Sequence, residues 1–342
     1  MDLASRRLSA QGLLDPGLAG PLEVVERLLA LQAQDPRGAR LAIRSRLPES
    51  TKDPGASMVD RELNAGALVT GWLNRGTLHM VRSDDYHWLR GLTNPRQETS
   101  NLTRLKQEGV SEEQARNATR LICQKLGHGP SSRVDLKELL ESNDIPVTGQ
   151  ALVHILFFAS LQGKILRGPV IGTEQAFVLA EDWLPPAPRF DADTALAELA
   201  RRFLTGHGPA TDRDLAKWAG VSLGQARSGL KLIRGKLEEQ GLVDLKSRPS
   251  SEGEVTARLL GAFDPVLHGW ESRDWLIPRK DVREVVTSNG IFRPTIMVGN
   301  RLVGTWAMPG GRVELKPFGR LGRSTRDELE ADAERVVDFL GG

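Results

Sequence analysis

Residues 206–227 read G-H-G-P-A-T-D-R-D-L-A-K-W-A-G-V-S-L-G-Q-A-R. Asp212 or Asp214 is placed to cap a short helix, Gly220 to end it and Ser222 to cap the next. That order is a helix-turn-helix pattern. A helical run, A-L-A-E-L-A-R-R-F-L, precedes it, and another, starting at G-Q-A-R-S-G-L-K-L, runs on to Gln240-Gly241.

The same punctuation occurs earlier in the chain. G-H-G-P stands at 127–130 as well as at 206–209, and five residues past each proline the sequence resumes as D-L-K-E-L-L or D-L-A-K-W-A. A repeat of this kind sets the architecture. The first copy closes its last helix at Gln162-Gly163 and continues K-I-L-R-G-P-V-I-G-T-E-Q-A-F-V-L, a hairpin pattern with a Gly/Pro-rich tip. Three helices closed by a hairpin make the winged-helix form of the motif. Helical runs at 21–31, 37–47 and 58–72 precede the strand pattern N-R-G-T-L-H-M-V, so element order, not matching letters, suggests a third copy. After 255 apolar strands take over, and Gly299-Asn300 between two alternating runs predicts a two-residue hairpin turn. The expected fold is α+β, mainly α, with tandem winged-helix domains in a curved scaffold and a C-terminal β-rich part. The expected divisions are 1–110, 111–190, 191–250 and 251–342. Winged helices in tandem with little linker suit a surface that holds a DNA duplex.

The composition agrees with a multi-domain globular chain: 342 residues, 39% apolar and 26% charged. No apolar run approaches the roughly 18 residues needed to span a bilayer, and M-D-L-A-S-R-R at the start is not a signal-peptide pattern. The single Cys123 excludes an internal disulfide and a Cys-rich zinc site, and a cytosolic location is the expectation. The net charge of +2 is too small to identify a nucleic-acid partner by itself. P-loop, H-E-x-x-H, G-x-S-x-G and dinucleotide-binding signatures are missing. The six histidines lack metal-ligand spacing; His128 and His207 read as capping or packing residues and His154 as a satisfied core residue. No metal and no other cofactor is expected.

One stretch resists a purely structural reading. Residues 28–46 are L-L-A-L-Q-A-Q-D-P-R-G-A-R-L-A-I-R-S-R. In a helix, residues i and i+2 point about 200° apart, whereas in extended chain they share a face. Gln32 and Gln34 therefore act together only outside a helix. Asp35-Pro36 allows that, with Asp35 as N-cap and Pro36 at the first helical position. Arg37, Arg40 and Arg44 then fall at i, i+3 and i+7, one stripe beginning at a helix N-terminus suited to phosphate. Two surface amides and a solvated arginine face also fit the spacing. Similarly, the segment Phe263-Asp264-Pro265 to Arg273, with His268 and Trp270, reads either as a DNA-contacting loop with Trp270 as a wedge or as a core turn packing Trp270 and Trp275. A basic face on 224–240 (Arg227, Lys231, Arg234, Lys236) fits phosphates or plain solvation.

The stretch L-Q-A-Q-D-P-R-G-A-R-L-A-I-R-S-R-L resembles the signature of the AlkZ/YcaQ-like winged-helix DNA glycosylases. The likeness continues through R-G-T-L-H-M-V-R-S-D-D-Y-H-W-L (75–89), the G-H-G-P and D-L-A-K-W-A-G element, L-L-G-A-F-D-P-V-L to R-D-W-L-I (259–277) and V-G-N-R-L-V-G-T-W (298–306). The resemblance implies a monofunctional hydrolase that cuts the N-glycosidic bond of N7-alkylguanine, as bulky adducts or interstrand crosslinks. It implies Gln32 and Gln34 as the catalytic pair, of the two-glutamine branch associated with self-resistance to DNA-alkylating natural products. It also implies double-stranded DNA carrying alkylated guanine as partner, no membrane, no cofactor and a monomeric enzyme. Arg37, Arg40, Arg44, His268, Trp270 and Arg273 are the candidate DNA contacts. The alternatives are a non-catalytic winged-helix transcriptional regulator and a lesion-binding protein.

Overall fold

The structure is a computed structural model and describes residues 2–14, 16–52, 54–186, 190–239, 241–248 and 253–341. Packing groups the chain into two compact units: Met1–Val59 with Ala192–Gly342, and Asp60–Asp191. The four divisions expected from the sequence are consecutive, whereas this grouping joins the two ends of the chain. The reason is that the N-terminal segment packs with the C-terminal half of the chain.

Unit one begins with α1 (Leu3–Ala10), α2 (Pro21–Leu28), the extended pair β1 (Leu31–Gln32) and α3 (Pro36–Arg44). α4 (Ala56–Asn64) runs across the division. Residues 65–72, expected to extend this helix, instead enter a strand. Ala65-Gly66 ends the helix, with Gly66 at φ +72, and Leu68-Val69-Thr70 is buried, with Val69 and Thr70 β-branched.

Unit two holds β2 (Leu68–Leu73), β3 (Thr77–Arg82), α5 (Ser83–Thr93), α6 (Gln97–Gln107), α7 (Glu112–Leu126), α8 (Arg133–Glu141), α9 (Ala151–Leu161), β4 (Ile165–Ile171), β5 (Glu174–Leu179) and α10 (Ala180–Trp183). α7, α8, α9 and the β4–β5 hairpin are the three helices and hairpin expected for the first G-H-G-P copy. Ser111 and Ser132 cap α7 and α8 in reciprocal capping boxes with Gln114 and Asp135. α9 is apolar nearly all round and buries Leu152, Ile155, Phe158 and Ala159 at the centre of the unit. Gly172 at φ +64 makes the hairpin tip, while Gly168-Pro169 forms an irregularity in the ladder between Arg167 and Val170. Strands β3, β2, β4 and β5 lie side by side in that order, all antiparallel.

Unit one resumes with α11 (Ala192–His207), α12 (Asp212–Ala219), α13 (Leu223–Leu232) and the β6–β7 hairpin (Leu237–Glu239, Val243–Leu245). The second G-H-G-P copy thus has the expected element order, with two corrections. Thr211, not Asp212 or Asp214, caps α12, because Asp214 supplies the return half of the capping box. The last helix stops at Leu232 and not at Gln240: Leu237–Glu239 pair with Val243–Leu245, and Gly241 at φ +78 serves the hairpin turn. Gly220 at φ +74 ends α12 and Ser222 caps α13, as read from the sequence.

The C-terminal part carries β8 (Arg258–Leu260), α14 (Val282–Val285), β9 (Thr295–Val298), β10 (Arg301–Ala307), β11 (Glu314–Pro317) and α15 (Arg323–Gly341). The four strands form an antiparallel sheet in the order β11-β10-β9-β8, and Gly299-Asn300 makes the predicted hairpin turn. α15 is a 19-residue helix that the sequence reading did not anticipate. Its Leu329, Val336 and Phe339 pack with Leu41 of α3 and with Leu259, Ile296 and Trp306 of the sheet. Each of those side chains contributes about 1.5–3 kcal/mol by leaving water. α3 is therefore seated on the sheet, and that seat positions the segment in front of it.

Candidate functional site

α2 ends at Leu28, and the chain then makes an unusual turn. Leu29 has φ 65 and ψ −54, and Ala30 N donates to Leu28 O at 2.8 Å. This is a γ-turn of the rare positive-φ kind, strained by roughly 1–3 kcal/mol for a residue with a β-carbon. Leu29 is fully buried, which holds it there. The approach to the turn is gripped from α11. Arg202 donates to Glu26 O at 2.9 Å, and Gly206 leaves no room for a side chain, since a Cβ would lie 2.6 Å from Arg27 O.

Beyond the turn Leu31–Gln32 is extended, and Asp35, with φ −111 and ψ 110, accepts from Gly38 N at 2.8 Å as N-cap of α3 with Pro36 next. The joint has the backbone that the Asp-Pro pair predicted. Its two amides differ in environment. Gln32 is 7% exposed, and its Oε1 is buried without a hydrogen-bond partner among the described residues. Gln34 is exposed.

The first turn of α3 rests directly on the segment after β8. A Cβ on Gly38 would lie 2.2 Å from Ala262 O, and one on Gly261 would lie 2.6 Å from Gly38 O. Two glycines facing each other permit this backbone contact. It sets the start of α3, three residues past Asp35, against Ala262, the residue before Phe263-Asp264-Pro265. That loop is fastened by a wholly buried fork: Arg46 donates from Nη2 to Asp264 Oδ1 and from Nη1 to Asp264 Oδ2, both at 3.0 Å. The same guanidinium donates to Gln11 O (2.8 Å), Gln11 Oε1 (2.9 Å) and Ala42 O (2.7 Å). Asp264 also accepts from Val266 N at 3.0 Å and so caps the short turn Pro265–Leu267.

The expected DNA contacts separate into two groups. Arg37 is exposed; Arg40 is half-buried and donates to Pro36 O at 2.9 Å. Arg44 belongs elsewhere: it is nearly buried and ion-paired to Asp332 of α15, so the expected three-arginine stripe keeps two members. His268 and Arg273 stand with Phe263 and Phe292 in a half-buried aromatic cluster: the His268 ring lies 4.2 Å from that of Phe292, and the Arg273 guanidinium 5.1 Å from the same ring. Arg273 Nε also donates to Leu267 O at 2.6 Å. Trp270 is a core residue and not a wedge. It is 2% exposed, donates to Pro209 O at 3.3 Å and packs edge-on against Trp275. Phe292 lies on the segment that returns to the loop through Phe263 N→Phe292 O, and no motif marks it in the sequence, where it follows Ile291 in a short stretch between Gly290 and Arg293.

Of the histidines, His207 is fully buried between Phe203, Trp218 and Trp270, and burial holds its pKa down at about 3. His128, its counterpart in the first G-H-G-P, is exposed, so the two copies use the same letters differently. His154 is satisfied by Asn101, as expected, with Nδ1 2.8 Å from Asn101 Oδ1. Among the described residues no group of three or more His, Cys, Asp or Glu is placed to hold a metal ion, and no helix is long and apolar enough to cross a membrane.

The family model of AlkZ-like DNA glycosylases matches residues 25–339. An interstrand DNA cross-link repair glycosylase of Streptomyces sahachiroi is 26% identical over 360 aligned positions, covering 93% of this chain and 90% of the relative. The solved structure of Streptomyces sahachiroi DNA glycosylase AlkZ is similar with a TM-score of 0.77 and 24% identity, over 99% of this chain and 95% of the other, which establishes a shared fold.

Proposed function

We propose, for a chain that belongs to the family of AlkZ-like DNA glycosylases and is thereby a hydrolase of N-glycosyl bonds in DNA, that its substrates are N7-alkylguanines. We assign the bulky adducts and interstrand crosslinks to it, and Gln32 and Gln34 to the reaction. The observation that carries the assignment is the Gln32 carbonyl oxygen: buried, without a hydrogen-bond partner among the described residues, and set in an extended joint between a strained turn and a capped helix. Leaving a buried acceptor unmet costs about 1–3 kcal/mol. A water molecule delivered to the reaction would meet it.

The chemistry suits an amide. Guanine alkylated at N7 already carries a positive charge, so it departs as a neutral base and needs no general acid. What remains is to hold water against C1′ and to stabilise an oxocarbenium-like sugar, work that ordinary glycosidic bonds demand of two carboxyl groups. The Gln32 carbonyl accepts a hydrogen bond from that water, which adds to C1′ as the bond to the base breaks and releases its proton to bulk solvent, and turns its partial negative charge toward the sugar. Gln34, exposed beside it, meets the nucleotide from the solvent side. Undamaged bases are spared because amides are too weak to expel them. Arg37 and Arg40, at the start of α3, hold flanking phosphates, and His268 and Arg273 line the neighbouring loop. The name of the Streptomyces sahachiroi relative supports crosslinks as substrates, and the two-glutamine motif supports a role in self-resistance to an alkylating natural product. The enzyme acts as a monomer, without cofactor.

Incubation with a 7-methylguanine duplex and with a crosslinked or bulky N7-adduct duplex, followed by alkali, tests this. Strand breaks are expected, lost on Gln32→Ala and reduced on Gln34→Ala with duplex binding retained. Binding without abasic sites on every alkylated substrate would leave a lesion-binding protein and sink the assignment.

A further inference from the structure

The ends of α2 and α11 and the β6–β7 hairpin enclose a cleft of about 550 Å³. Arg27, Arg201, Lys236, Lys246 and Arg248 line it, and among the described residues no carboxylate does. Two of these cations are answered from behind. Arg201 holds Glu198 at 2.6 Å and Arg248 holds Asp244 at 2.9 Å. Three are not: among the described residues no carboxylate is within ion-pair distance of Arg27, Lys236 or Lys246.

The placement of those three is costly for the protein alone. Leu237 pairs with Leu245, and Lys246 N donates to Lys236 O at 3.0 Å, so the register continues and the two lysines stand directly opposite each other. Like charges in that relation destabilise a strand pair. Arg27 is fixed by donation to Ala10 O at 2.8 Å and Ser9 O at 2.9 Å. Burial, and after it the charges of Arg248 and Arg46, keep its pKa below the usual arginine value. Such a cluster is relieved by an anion. The field also does not stop at the cleft, because Lys231 and Arg234, both exposed, continue it along α13 and the residues that follow. An extended polyanion matches this layout better than a single small ion does.

We infer that this cleft is a backbone-phosphate site for duplex DNA, formed by Arg27, Lys236 and Lys246 and separate from the glutamine joint. The inference rests on the DNA-glycosylase reading and adds a sequence-independent grip to it. Each phosphate contact contributes about 0.9 to the slope of log K against log salt concentration. The test is a salt titration of binding to an undamaged duplex, for the full chain, the Lys236→Glu/Lys246→Glu variant and an equally recharged control, Lys106→Glu/Lys125→Glu. The cleft variant is expected to lower the slope by about 2 and to weaken binding at low salt by tenfold or more, with the control near the parent protein. An unchanged slope, or an equal fall in the control, would overturn the site. So would a cleft that titrates with inorganic phosphate while the DNA slope stays put, since the ligand would then be a free ion. Loss of excision in Gln32→Ala with the parent slope intact keeps the glycosylase reading apart from this one. If the parent protein binds no duplex, both fall.

Discussion

Replacing Arg46 by Met should be among the most damaging single changes in unit one. The guanidinium is wholly buried and joins three remote segments: Gln11 after α1, the end of α3, and Asp264 of the loop that follows Ala262. Removal of one partner leaves the Asp264 carboxylate buried without its cation, and breaking such a pair costs about 3–5 kcal/mol. In a unit of this size each kcal/mol lowers Tm by roughly 2–4 °C, so the expected fall is about 6–20 °C. Arg46→Lys should recover part of it, because an ammonium restores the charge but not the fork. The double variant Arg46→Met/Asp264→Leu should recover most of the stability, since a buried pair exchanged for apolar groups is often neutral. It should not restore excision, because the loop would no longer be tied to α3. Thermal unfolding and excision of a 7-methylguanine duplex are the two measurements. A fall under about 1 kcal/mol for Arg46→Met would refute the reasoning, as would a double variant less stable than either single one.

Gly38→Ala is expected to destabilise by about 1–3 kcal/mol even though alanine favours helix, because its Cβ would sit 2.2 Å from Ala262 O and push α3 off the loop; unfolding and excision rate both report it. Trp270→Phe should lower stability by about 1 kcal/mol through the lost bond to Pro209 O, and the DNA affinity of the folded variant should be unchanged, where a wedge would have lost it. For pH, His207 and His79 are held at about 3 against an ordinary 6.5. Between those values the unfolded chain takes up protons that the folded one refuses. Stability should thus fall as pH drops below about 6.5, by up to about 1.4 kcal/mol per pH unit for each histidine. Denaturant titrations at pH 7, 5.5 and 4.5 measure the slope, and His207→Phe should lessen it.

Much of the local structure was readable from the letters, and for one reason. Asp35-Pro36, Ser222 with Gln225, Gly220 and Gly299-Asn300 act on backbone groups a few residues away, so their effect is written in their spacing. Where a cap competed with its neighbour, as Thr211 did with Asp212, spacing alone did not choose. The β2–β3 hairpin is half-legible: N-R-G-T-L-H-M-V reads as a strand, while its partner Leu68–Leu73 does not, because its buried run lacks an alternating pattern.

What the sequence by itself determined is the extended joint that carries Gln32 and Gln34, the helix that follows it, and the repeated three-helix-and-hairpin order. Only the tertiary structure decided which of those side chains is buried and which charges are already answered. Arg44 meets its acid 288 residues further along the chain and Arg46 meets Asp264 at a separation of 218. No spacing rule reaches that far, because such pairs form only when the core has brought both segments together. The same closure buried the Gln32 oxygen without a donor among the described residues and left Gln34 exposed. Neighbours in sequence set the backbone; neighbours in space set the charge, the solvent and the chemistry left to each residue.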